Sequence, residues 1–207
     1  AFIGLPQDVQ GWTYDFPTVF FEKKNHRIRR QSPDIKEIND AVNFLKAAKR
    51  PMIIAGGGVQ YSKATKQLKN FAEKHQIPVV ETIAGRANLT SEHSLNIGPI
   101  GVTGSDSANH IAENADVILA VGTRLQDFTT GSWTAFALDA KLISLNAGRH
   151  DAGKHMALSV VGDAKLSLDI LSKNLKYVAP KKWVQLAQDE RIKWNKYVAK
   201  NVSAGNQ

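Results

Sequence analysis

The sequence predicts an α/β domain: a parallel β-sheet covered by helices on both faces. Two observations predict it. Short apolar runs end in glycine, Pro51-Met52-Ile53-Ile54-Ala55 before Gly56-Gly57-Gly58 and Val117-Ile118-Leu119-Ala120-Val121 before Gly122. Such runs read as strands buried on both faces and entering tight turns. Segments of helical period separate them at roughly 25–30-residue intervals, an alternation that places crossover helices between parallel strands.

In order, the chain opens with Ala1 rather than Met, and Phe2-Ile3-Gly4-Leu5, closed by Pro6, reads as a strand. Both features suggest a piece of a larger protein. Residues 6–32 carry Trp12, Tyr14, Phe16, Phe20 and Phe21 among Pro6, Gly11 and Pro17 without a period. They read as a linker that presses its aromatics onto a neighbour. Ser32-Pro33-Asp34 supplies a cap, a first-turn proline and an acid for a helix whose buried face is Ile35, Ile38, Ala41, Val42 and Leu45.

After the first strand, residues 62–75 read as a helix burying Ala64, Leu68, Phe71 and Ala72. Pro78-Val79-Val80-Glu81-Thr82 is a strand before a turn at Gly85, and residues 86–104 read as loop. Ser105-Asp106 starts a helix through Ala108, Ile111 and Ala112. Residues 123–139 form a polar loop, with room for a short helix near residues 133–138. Lys141-Leu142-Ile143-Ser144-Leu145-Asn146 and Ala157-Leu158-Ser159-Val160-Val161 are strands, and Gly162-Asp163 caps a helix carrying Leu166, Leu168, Ile170 and Leu171. Beyond Pro180, residues 183–198 read as an amphipathic helix outside the compact unit, offering Trp183 and Trp194 as docking surface.

Composition excludes several functions. With no Cys, the chain has no disulfide, thiolate zinc site or cysteine nucleophile. No run reaches the ~18 apolar residues of a membrane span, and a cytoplasmic home asks least of the sequence. A net charge of +8 invites a nucleic-acid reading, but residues 31–180 hold 16 basic and 14 acidic side chains. The surplus lies in the flanks, densest at Lys23, Lys24, Arg27, Arg29 and Arg30, and is expected to be solvated or to meet an acidic neighbour rather than nucleic acid.

Three local patterns bear on chemistry. Gly56, Gly57 and Gly58 follow a strand and precede a helix, which suits either a plain tight turn or an anion nest. Tyr61 stands where a dinucleotide fingerprint needs its third glycine, so an ordinary dinucleotide site is not expected. Arg124 and Asp127 follow the strongest late strand, at the edge where doubly wound sheets bind ligands, and could hold a polar ligand or pair with each other. His150, Asp151, Lys154 and His155 lack the spacing of a metal or general-base set and read as surface groups. No nucleophile elbow or phosphate-loop lysine appears.

The ordered series Arg50-Pro51-Met52-Ile53-Ile54-Ala55-Gly56-Gly57-Gly58, Phe71-Ala72-Glu73, Ile77-Pro78-Val79, Glu81-Thr82, His93-Ser94-Leu95-Asn96-Ile97-Gly98, Ala115-Asp116, Val121-Gly122-Thr123-Arg124 and Val161-Gly162-Asp163 resembles the central domain of thiamine-diphosphate enzymes. The resemblance covers residues 33–175 and implies a Rossmann-like sheet of six parallel strands. Leu5-Pro6-Gln7-Asp8, His26-Arg27-Ile28-Arg29-Arg30 and Gln126-Asp127-Phe128-Thr129-Thr130-Gly131-Ser132 are similar to a branch of carbon–carbon bond hydrolases that opens a cyclic dione in myo-inositol breakdown. Gln126-Asp127-Phe128 departs from the Asp-Asp-Arg of acetolactate synthases, and Arg86 replaces a usual lysine.

The resemblance implies that thiamine diphosphate and magnesium serve the parent enzyme and are bound outside this chain. A pyrimidine-binding domain before it and a pyrophosphate-binding domain after it would be its partners, in a homo-oligomer. Residues 1–32 would then end the preceding domain and link it on, residues 33–178 form the central domain, and residues 179–207 lead onward. No catalytic residue is expected here. Gly56, Gly57, Gly58, Arg124 and Asp127 remain candidate nucleotide or anion contacts, with FAD an unlikely occupant; the rival is an acetolactate-synthase-like domain with FAD or ADP at the same edge.

Overall fold

The structure, a computed structural model, describes residues 2–202. Six strands form one all-parallel sheet: β1 (Pro51–Ala55), β2 (Val79–Glu81), β3 (Asn96–Pro99), β4 (Val117–Val121), β5 (Lys141–Asn146) and β6 (Leu158–Val161), in spatial order β3-β2-β1-β4-β5-β6. Each of β1 and β4 is buried along its whole length, which is why both read as unbroken apolar runs. Their side chains alternate between two cores. Ile53, Ala55, Leu119 and Val121 face one, and Met52, Ile54, Ile118 and Ala120 face the other.

The first core lies under α1 (Ile35–Ala47), α3 (Thr65–His75) and α7 (Ala164–Asn174), the second under α4 (Asp106–Asn114) and α8 (Lys181–Val202). Caps set several starts: Asp34 accepts from Lys36 N, Ser105 from Ala108 N, and Asp163 from the Lys165 and Leu166 amides. Asp116 ties the strand starts together, its carboxylate accepting from Lys49 N and Arg50 N at 2.8 Å each.

Several expectations need correction. Residues 2–5 form no strand and are exposed. The cap of α1 is Asp34 rather than Ser32, and Ile35 is exposed. The helix expected over residues 62–75 is α3, starting at Thr65; before it the unexpected α2 (Gly57–Tyr61) begins within the glycines, and a turn with Lys63 in the left-handed region separates the two. β3 lies where a loop was expected, because its four residues, Asn96-Ile97-Gly98-Pro99, are too glycine- and proline-rich to show a strand pattern. The short helix after β4 is α5 (Asp127–Thr130), not residues 133–138.

The largest correction concerns α8. Trp183 is 5% exposed and donates its indole N–H to Pro51 O at 2.8 Å. Together with Ala187 it closes the second core rather than standing outside the domain. Ile192 and Tyr197, further along the same helix, are exposed. The end of the C-terminal segment, residues 203–207, lies outside the described residues, as does Ala1.

Candidate functional site

A cleft of about 760 Å3 opens at the carboxyl edge of the sheet. It sits where strand order reverses between β1 and β4, the position at which open α/β sheets take ligands. Backbone crossing builds it. Gly58 and Gly122 pass so closely that a Cβ on Gly58 would lie 2.6 Å from Gly122 Cα, and one on Gly56 would lie 2.3 Å from Gly122 O. Gly122 has φ +61°, which a side chain rarely adopts. The glycines therefore serve packing at the crossing first.

Hydrogen bonds show the same division of labour. Gly56 N donates to Val121 O and Gly58 N to Gly122 O, both at 2.9 Å. Those two amides are engaged by the neighbouring strand and its turn. Gly57 and Gly58 line the cleft, while Gly56 lies beneath it with its carbonyl accepting from Asn88 Nδ2 at 3.1 Å.

Arg124 lines the cleft and is exposed; Asp127 starts α5 outside the lining. Among the described residues the two form no ion pair with each other. Thr123, Asn146 and Asp151 were missed as lining groups. Asn146 is a hub: its Nδ2 donates to Thr123 O, its Oδ1 accepts from Gly148 N, each at 3.0 Å, and its carbonyl accepts from Gly162 N. Only the placement of strand ends side by side could have singled it out.

Asp163 lies at the rim through its neighbours. Arg30 Nη1 reaches its carboxylate at 2.6 Å and Ser62 O at 2.7 Å, so the N-terminal segment is fastened beside the cleft. Burial pushes the Asp163 carboxyl up, but the Leu166 amide, Ser62 and Arg30 outweigh it and hold its pKa below the ordinary value. Asp151 pairs with Lys154 at 2.6 Å, and His155 lies against the Trp133 ring. Among the described residues, no group of three or more His, Asp or Glu side chains could hold a metal ion. The cleft thus offers the Arg124 guanidinium, the Asp151 carboxylate, hydroxyls and amides, a set able to hold a small polar ligand.

A doubly wound sheet with glycines at its switch point defines a Rossmann-like ligand-edge domain, and residues 38–171 match the thiamine pyrophosphate enzyme central domain. The chain belongs to that family. Among curated proteins it is 49% identical over 174 residues, 84% of this chain and 27% of the relative, to a 3D-(3,5/4)-trihydroxycyclohexane-1,2-dione hydrolase of Clostridium tetani. It is 46% identical over 173 residues to the enzyme of that name from Geobacillus thermodenitrificans, again covering 84% of this chain and 27% of the relative. The chain therefore spans little more than a quarter of the length of these relatives. Neither similarity gives the acetolactate-synthase-like reading support.

Proposed function

We propose that this chain is the central domain of a thiamine-diphosphate-dependent hydrolase that opens the ring of trihydroxycyclohexane-1,2-dione. The observation that carries this reading is 46–49% identity to hydrolases of that name across 84% of the chain. The parent enzyme uses thiamine diphosphate with magnesium, and both are held by domains flanking this one.

In this reading residues 1–32 end a preceding pyrimidine-binding domain and its linker, residues 33–178 form the central domain, and residues 179–207 lead to a pyrophosphate-binding domain. The parent is a cytoplasmic homo-oligomer that binds no nucleic acid. No catalytic group lies in this chain. Gly56, Gly57, Gly58, Arg124 and Asp127 frame an edge at which Gly57, Gly58 and Arg124 are placed to touch a small polar ligand, and FAD is not that ligand.

Two assays test this. A longer polypeptide carrying this segment between its flanking domains is expected to hydrolyse the dione with thiamine diphosphate and magnesium. The 207-residue chain alone is expected to show no turnover, and no change in the flavin spectrum on titration with FAD. Turnover by the isolated chain, or pyruvate condensation without dione hydrolysis by the longer one, would overturn the proposal.

A further inference from the structure

A second cleft, of about 390 Å3, lies at the β3 edge of the sheet, apart from the glycine crossing. Its lining includes Glu81, Asn96, Gly98, Arg86, Glu92 and Arg191, the last reaching in from α8. The acids are already engaged. Glu81 is 3% exposed, and its two oxygens accept from Leu89 N at 3.0 Å and Asn96 Nδ2 at 3.4 Å. Glu92, on the exposed rim, accepts from Ser91 Oγ at 2.7 Å.

The bases are not. Among the described residues neither Arg86 nor Arg191 has a carboxylate within ion-pair distance, and Arg191 Nε is buried with no acceptor. Gly98, at φ +116°, makes room for this arginine: a Cβ there would stand 2.7 Å from Arg191 Nη1. Burial lowers the proton affinity of Arg191, the nearby charge of Arg86 lowers it further, and Glu81 offsets part of this. Two guanidinium groups thus share a recess whose buried carboxylate is satisfied by neutral donors. Planar guanidinium groups bind carboxylate or phosphate oxygens in pairs, and this recess supplies the donors without their acceptor.

We propose that Arg86 and Arg191 form a binding site for a small oxyanion of the carboxylate or phosphate class. The site joins the loop after β2 to α8, so a bound anion bridges the sheet edge to the C-terminal helix. It is independent of the function proposed above, since it uses no residue of the glycine-lined cleft.

The test is titration of the 207-residue chain with inorganic phosphate, and separately with succinate, against chloride of equal ionic strength. The readout is the Nε–H resonance of Arg191 in nitrogen-edited NMR. A saturable shift is expected with at least one of the two anions, and the tighter one identifies the headgroup chemistry. Arg86→Gln, on an exposed loop residue, is expected to weaken that binding about tenfold or more, as loss of a hydrogen bond to a charged partner does. Lys66→Gln, a remote surface change, leaves it unaltered. No shift beyond that in chloride, a shift linear in anion concentration, or one unchanged in Arg86→Gln would overturn the proposal.

Discussion

A methyl group at Gly122 would meet Gly58 Cα at 2.7 Å while forcing a non-glycine residue to φ +61°. Gly122→Ala is expected to lose about 2–4 kcal/mol, combining left-handed strain with overpacking; urea unfolding measures it, and a loss below about 1 kcal/mol would contradict the crossing as described. His75 gives a second residue-scale expectation. Its Nδ1 lies 2.7 Å from Tyr177 O, an acceptor, so Nδ1 carries the proton and the bare Nε2 is buried without a partner. Burial chiefly, with Lys74 adding to it, holds the imidazole pKa below 6.5 despite the Tyr177 carbonyl. Below about pH 6.5 the unfolded chain takes up a proton that the native His75 refuses, so stability falls with pH until the native pKa is passed. The NMR titration midpoint of His75 should lie below 6.5, and a midpoint at or above it would refute this account. The sequence showed His75 only as the last residue of a helical stretch; its partner is 102 residues away.

At the scale of elements, most of the pattern was legible because helix faces and buried strands repeat locally. The Ile38, Ala41, Val42 and Leu45 face of α1 is buried as its spacing required. What failed were short elements whose register other elements impose. β3 is specified by pairing to β2, with a register shift between Val79 and Val80, rather than by its own composition. The opening of α8 looked like free surface because amphipathicity does not say what covers the apolar side. Trp183→Ala is expected to cost about 3–5 kcal/mol. Trp183→Phe should cost less, through the unpaired Pro51 carbonyl, by about 1–3 kcal/mol. Chemical denaturation separates the two, and wild-type stability in Trp183→Ala would mean that α8 does not seal the second core.

For the whole molecule, α8 closes one face of a three-layer fold that α1, α3 and α7 close on the other. A chain ending at residue 178 would lose Trp183 and Ala187, which are buried in the second core, and so uncover part of it. Its thermal transition is therefore expected to be lower and broader than that of the full chain, as calorimetry would detect; an unchanged transition would make residues 179–202 dispensable. By itself the sequence determined the α/β class, the parallel strands and the family, since these follow from local periodicity and an ordered set of short motifs. Only the tertiary structure decided which glycines pack against which, that Asn146 organises the cleft, and that Arg86 and Arg191 share a recess. Those facts depend on contacts between residues far apart in the chain, and no periodicity within one segment encodes the neighbour it will meet.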